Sequence, residues 1–282
     1  MLKKQRYHRV HTGHRRMAVQ PVFADFHRLE MNASQEYPRH RHANYEAILV
    51  ERGPYLCELN GRELQLEAGE VLIIKPGDWH ADHLRAGQRH FVLHFTLEAA
   101  EGRRAPDLFT AGARAEDQVA RGDFKRDARL LHEIQVEAEA GADYAAAVQD
   151  GLLAALFWRW TRGLPERGLS GPWRALPADE ARRQEIAELL GRHVTKNPTV
   201  AELAQALAIS PRQFSTQCRM LLGTSPAKLL LELKLREAEA MLRYQGRRVS
   251  EVSEALGFAN PFHFSRVCRR AWGHAPSAVK TR

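Results

Sequence analysis

The last hundred residues of the chain carry one pattern twice, and this repeat limits the fold more than any other feature. VAELAQALAISPRQFSTQCR, from Val200 to Arg219, returns as VSEVSEALGFANPFHFSRVCR, from Val249 to Arg269. Val200, Glu202, Leu203, Ala206 and Leu207 match Val249, Glu251, Val252, Ala255 and Leu256. After one inserted residue, Pro211, Phe214, Ser215, Cys218 and Arg219 match Pro261, Phe264, Ser265, Cys268 and Arg269. Each copy spaces its apolar residues for a short helix, a tight turn and a second helix. A small residue, Ala204 or Ser253, stands where the second helix must cross closely. The turns are Ala208-Ile209-Ser210 and Gly257-Phe258-Ala259. Gly257 can adopt the left-handed backbone without strain, and Ile209 and Phe258 plug the junction. Ser210-Pro211 and Asn260-Pro261 each give an N-cap followed by proline at the first helical position. Thr199-x-x-Glu202 is a capping box, whereas Arg248 is a poorer cap for the second copy.

Two such units are helix-turn-helix motifs, expected at 200–221 and 249–271. In each second helix a four-residue spacing, Phe214 with Cys218 and Phe264 with Cys268, turns toward the core. The opposite face offers Arg212, Gln213, Thr216 and Gln217 in the first copy. In the second it offers Asn260, Phe262, His263 and Arg266. Arginine pairs with guanine, glutamine and asparagine with adenine, and threonine or phenylalanine can touch a thymine methyl. Arg219, Arg269 and Arg270, further along the helices, suit phosphates. The intervening segment from Pro226 to about Arg243 reads as a spacer helix roughly 27 Å long. A spacer of that order would set two recognition helices about one DNA turn, roughly 34 Å, apart. The expected target is an extended, non-palindromic half-site, with base specificity weighted to the first copy and phosphate affinity to the second.

Charge follows the same division. The formal net charge is +8, but residues 181–282 carry +9, residues 1–20 carry +6 and residues 21–180 carry −7. A basic third beside an acidic middle fits one part that meets a polyanion and one that does not. The basic start, with His8, His11 and His14, lacks an apolar run and reads as an arm rather than a secretory signal. Three widely separated cysteines, Cys57, Cys218 and Cys268, support neither a disulfide framework nor a zinc ribbon and fit a reducing, cytoplasmic setting. No run reaches the ~20 apolar residues of a membrane span.

The stretch from about Gln184 to Lys280 resembles the AraC/XylS family of bacterial regulators. The likeness rests on the two motifs, the Gly257-Phe258 turn and the Gly273-x-x-Pro276 tail. It departs where Cys218 and Cys268 replace a usual phenylalanine, Ser253 a usual alanine, and Ala208 a usual turn glycine. These positions are interior, away from the DNA-facing residues. The resemblance implies a transcription regulator, more often an activator, that binds promoter DNA as a homodimer and works with RNA polymerase. It also implies a small-molecule effector, commonly a carbohydrate.

Residues 21–100 read as strands punctuated by Gly53-Pro54, Asn60-Gly61, Ala68-Gly69 and Pro76-Gly77. Asn60-Gly61 is a strong type I′ hairpin signal. His40, His42 and Glu46 with Gly53, then Pro76-Gly77 and His80, resemble the two motifs of the cupin barrel. Strand alternation would put His40, His42 and Glu46 on one face. In metal cupins the four matching residues hold iron, manganese or zinc. Two readings stay open: His40, His42, Glu46 and His80 bind a divalent metal, or they hydrogen-bond an effector without one. Arg39, Tyr45, Trp79, His83 and His94 are further pocket candidates.

The expected fold is α+β and multidomain. A basic arm (1–20) precedes a cupin-like barrel of jelly-roll type (21–100). A helical pair (101–162), broken near Gly141, would pack on the barrel or form a dimer interface. A Gly/Pro-rich linker (163–180) leads to an all-helical DNA-binding domain (181–282). The expected function is effector-controlled transcription regulation without catalysis. Competing readings are a metal-dependent cupin enzyme or metal sensor fused to a DNA-binding domain, and a regulator that answers to a protein partner.

Overall fold

The computed structural model describes residues 19–99, 105–122 and 124–279. Apart from Val19 and Gln20, the expected basic arm lies outside them. The chain divides into two compact units that meet at Leu176 and Pro177.

The first unit is a pair of antiparallel sheets. Its strands are β1 (Val19–Glu30), β2 (Gln35–His40), β3 (Tyr45–Arg52), β4 (Tyr55–Leu59), β5 (Arg62–Leu66), β6 (Val71–Ile74), β7 (His80–Leu84), β8 (Arg89–Ala99) and β9 (Val119–Ala120). One sheet has the order β1-β8-β3-β6-β9 and the other β2-β7-β4-β5. Asn60 and Gly61, at φ 50° and 79°, make the β4–β5 turn, as their left-handed tolerance predicts. The continuous apolar runs of β3 and β6 are explained by burial on both faces. Ile48, Val50, Leu72 and Ile74 face Tyr55, Cys57, Leu59 and Leu66 across the sandwich. Ala47, Leu49, Val71 and Ile73 pack outward beneath helices α1 (Ala128–Ala140) and α2 (Ala145–Thr161) through Leu131, Ile134, Leu153, Leu156 and Phe157. Gly141, left-handed at φ 55°, ends α1 where the sequence places the break. The helical pair therefore covers one sheet. The domain extends well beyond residue 100, because β9 and Leu108, Phe109 and Trp173 complete this layer.

The expected linker is largely ordered helix. Helix α3 (Gly171–Arg192) runs through the segment with Pro177 inside it. The division between the two units falls within this segment, and Gly171-Pro172 lies at the helix start, where a missing amide costs no hydrogen bond. The Trp173 ring is buried as well, with Nε1 donating to Pro106 O at 3.1 Å.

The second unit is helical: α4 (Val200–Ala206), α5 (Pro211–Leu222), α6 (Pro226–Tyr244), α7 (Val249–Ala255) and α8 (Pro261–Trp272) follow α3. Ser210 Oγ accepts from Gln213 N–H at the start of α5, and Asn260 Oδ1 accepts from His263 N–H at the start of α8. Gly223 and Gly273 end the same two helices at φ 77°. Each repeat has its own core. Leu203, Ala204, Phe214 and Cys218 pack with Leu189 and Leu190 of α3 and Leu229 and Leu230 of α6. Val252, Leu256, Phe264 and Cys268 pack on Leu235, Ala238, Met241 and Leu242, further along α6. One spacer helix thus serves two cores with its two halves.

Candidate nucleic-acid interface and effector site

The α5 and α8 faces match position by position. Phe214, Cys218, Phe264 and Cys268 are fully buried, and burial pushes both thiols up to about 12. Arg212 and Phe262, Thr216 and Arg266, Arg219 and Arg269, and Met220 and Arg270 are exposed at equivalent places. Phe262 is 87% exposed, so its ring has no core role. Among the described residues the ion pairs of this unit lie on α3 and α6 (Arg182–Glu185, Arg183–Glu180 and Arg243–Glu239). The guanidiniums of Arg212, Arg219, Arg266, Arg269 and Arg270 are left to meet an external anion.

Other candidates on this face are partly committed. Gln213 Oε1 accepts from both Ser210 N–H and Ser210 Oγ at 2.9 Å, so its amide nitrogen alone remains available. Asn260 Oδ1 already accepts one bond at the cap, at 2.8 Å, which ties its side chain to the start of α8. Gln217 and His263 are half-buried, with Gln217 Oε1 and His263 Nδ1 shut off from water and unbonded. In the second copy, Glu251 accepts from Arg248 N–H at 2.9 Å, but the arginine side chain cannot complete the box as Thr199 does at α4.

In the first unit, His40, His42, Glu46 and His80 converge, and donor atoms, one from each, lie within 4.8 Å of one another. The route differs from simple alternation. His40 ends β2, His42 stands in the connection, Glu46 lies on β3 in the other sheet, and His80 opens β7 opposite His40. The site is made by two sheets meeting. His80 Nε2 is 2.9 Å and His42 Nε2 3.4 Å from Glu46 Oε2. Glu46 Oε2 and His80 Nε2 are nevertheless both buried without an aligned hydrogen bond. Burial works against a charged Glu46, but His80, His94 and His42 hold its carboxyl below the usual range. Burial also holds the His42 imidazole toward the neutral form, which is the ligating form.

Of the further pocket candidates, only His94 joins this cluster, with Nε2 4.0 Å from Glu46 Oε1 and its ring 4.6 Å from His42. Tyr45 points to the helix side, where its hydroxyl accepts from Leu108 N–H at 3.0 Å. His83 has the opposite strand parity to His80 and pairs with Glu36. Trp79 is stacked by Arg39 and Arg41 at 5.0 and 4.7 Å. No motif announces the neighbouring polar chain in which Tyr55 donates to Asp82 at 2.6 Å and His90 faces the Tyr55 ring. Alternation within β4, β7 and β8 could have found it only once the strands were paired.

A two-sheet ligand-binding domain followed by tandem helix-turn-helix units defines a DNA-binding transcription regulator under effector control. A profile of the AraC-like ligand-binding domain matches residues 24–156, and one of a helix-turn-helix domain matches residues 203–282. The chain belongs to the AraC/XylS family. A relative from Escherichia fergusonii named HTH-type transcriptional activator RhaS is 25% identical over 261 residues, covering 86% of this chain and 87% of its own. One of the same name from Enterobacter sp. is 22% identical over 275 residues, covering 95% and 93%. A crystal structure from Chromobacterium violaceum, titled a transcriptional regulator with an AraC-type DNA-binding domain, shares 25% identity over 36% of this chain and 90% of its own, with a TM-score of 0.34. Among the described residues no helix is long and apolar enough to cross a membrane.

Proposed function

We propose that the chain is a cytoplasmic, homodimeric transcription activator that reads promoter DNA with α5 and α8 and recruits RNA polymerase there when its first domain binds a small molecule. The matched, unpaired cationic faces of α5 and α8 carry this reading. Arg212, Thr216, the Gln213 amide and Gln217 serve as base-edge contacts from the first helix, with Phe262, His263 and Arg266 from the second. Arg219, Arg269 and Arg270 hold phosphates, and Asn260 contributes from the cap of α8. The activator sign is supported by the names of the relatives. Electrophoretic mobility shifts with a duplex selected by the protein from a randomised pool test the interface. Undiminished binding by Arg212→Ala combined with Arg266→Ala would refute it.

The effector site in this proposal is the histidine cluster, with a divalent transition metal in it. The fit is chemical: three imidazoles and one carboxylate suit zinc, iron or manganese. Two buried donors, Glu46 Oε2 and His80 Nε2, lack an aligned partner. The donors' spread of 4.8 Å would have to contract to at most ~4.4 Å for all four to share one ion at ~2.0–2.2 Å. His40, His42, Glu46 and His80 would hold the ion. Bound there, it would act as a Lewis acid for oxygen donors of an effector, such as the hydroxyls of a sugar. The role is binding rather than catalysis. Metal analysis of protein purified without chelator, beside His80→Ala, tests the site. A metal content near one per chain that His80→Ala abolishes is expected, and a metal-free wild type would leave hydrogen bonding as the cluster's role. A thermal-shift screen with sugars and uronates tests the effector class.

A further inference from the structure

Lys234 of the spacer helix is the one lysine among the described residues that is buried, at 4% exposed. Its neighbours on that face of α6 are Leu230, Leu231, Leu235 and Ala238. An apolar side chain there would avoid the desolvation of a cation, so the charge is not explained by core packing. The ammonium Nζ donates to Leu256 O and to Asn197 Oδ1, both at 2.7 Å, and lies 5.6 Å from the centre of the Phe258 ring. Asn197 in turn donates through Nδ2 to Gly257 O at 2.6 Å. Leu256, Gly257 and Phe258 form the turn that sets α8 against α7. Asn197 lies two residues before Thr199, the cap of α4. Gly257 is left-handed at φ +69°, and an added Cβ would lie 3.0 Å from Thr195 O and 3.4 Å from Asn197 Nδ2. Three segments therefore close on one ammonium: the entry to the first helix-turn-helix, the spacer, and the turn of the second. Burial lowers the pKa of Lys234.

We propose that Lys234 and Asn197 form a brace that fixes the separation and angle of the two recognition helices, and so makes the protein selective for one spacing between the two DNA segments it reads. The two cores along α6 are otherwise joined by the spacer helix and by the apolar contact of Val194, which follows α3 and packs on the second core. The brace ties the turn of one repeat to the start of the other, and deviations in spacing must then distort either DNA or protein. Lys234 and Asn197 are positioning residues and need touch no base.

This proposal rests on α5 and α8 both reading DNA, and the experiment separates the two ideas. A duplex selected by the full-length wild type from a randomised pool is resynthesised with one base pair inserted or deleted between the two protected segments. Binding is measured for the wild type, Lys234→Met and Asn197→Ala, with circular dichroism as a check on folding. Asn197 is exposed, so its variant remains informative if Lys234→Met does not fold. The wild type should lose at least tenfold in affinity for either altered spacing. The variants should lose less than threefold, with weaker binding to the parent duplex. A uniform weakening that keeps the wild-type discrimination would make the brace merely structural and overturn the proposal, as would a wild type indifferent to spacing. A selected duplex with only one protected segment would instead refute the two-helix reading beneath it.

Discussion

Ser253→Ala should stabilise the helical domain by about 1.5 kcal/mol. Ser253 is 1% exposed at the crossing of α7 and α8, and its Oγ is buried without a hydrogen-bond partner. A buried hydroxyl left unsatisfied costs on the order of 1 kcal/mol or more. Alanine adds roughly 0.5 kcal/mol of helix propensity. Removing one oxygen opens little volume, so the cavity penalty that follows larger truncations is small. The repeat supplies an internal control, since the equivalent residue, Ala204, is fully buried at the same crossing of the first copy. Ala204→Ser should cost a similar amount. For a domain of this size, 1.5 kcal/mol is worth roughly 6–12 °C in Tm. Differential scanning calorimetry of the full chain would follow the transition, with Trp272 fluorescence in urea as a second probe. A fall in Tm for Ser253→Ala, or no change beyond about 1 °C, would refute the reasoning, because the hydroxyl would then have a partner worth keeping.

The turn residues should respond with opposite signs. Ala208 is left-handed at φ 52°. Relief of ~1–2 kcal/mol of strain outweighs the ~0.4–1 kcal/mol of added unfolded-state entropy, so Ala208→Gly should gain about 0.5 kcal/mol. Gly257→Ala should lose at least 1 kcal/mol in the same urea titration, since strain adds to the close approach of Thr195 O. Burial pushes His90 down to about 4. An unfolded histidine takes up a proton near pH 6.5. The neutral His90 contribution is therefore complete above pH 6.5 and is lost as pH falls toward 4, by on the order of 3 kcal/mol. Urea midpoints at pH 7 and 4.5 should converge in His90→Phe, and an unchanged gap would count against this assignment. Arg269→Ala should lower the slope of log K against log salt by about 0.9, the value of one phosphate contact. Arg212→Ala should instead weaken the selected duplex more than random DNA, as read by fluorescence anisotropy, and the reverse pattern would exchange their roles.

How much was legible in the sequence varied with the range of the interactions involved. Val200–Arg219 and Val249–Arg269 declared their helices and turns because caps, prolines and four-residue spacings act within one or two turns of chain. The Asn60-Gly61 hairpin and the break at Gly141 were legible for the same reason. The Gly/Pro content of 163–180 marks the segment in which the two units divide, but not helix α3, which begins at Gly171 because a proline at a helix start loses nothing. The commitment of Gln213 and Asn260 to caps was implicit in Ser210-Pro211 and Asn260-Pro261, yet it became plain only when the donors were placed.

The sequence by itself determined the two repeats, the outward residues of α5 and α8, and the identity of His40, His42, Glu46 and His80 as one set. All of these follow from local periodicity or short motifs. Only the tertiary structure decided that the set is assembled across two sheets, that His94 joins it while Tyr45, Trp79 and His83 do not, and that Lys234 meets Asn197 and Leu256. Those facts depend on strand pairing and helix packing between residues far apart in the chain. A buried lysine on an apolar helix face reads, in sequence, as any solvated lysine would. Its partners lie 37 and 22 residues away, and no periodicity along the chain connects them.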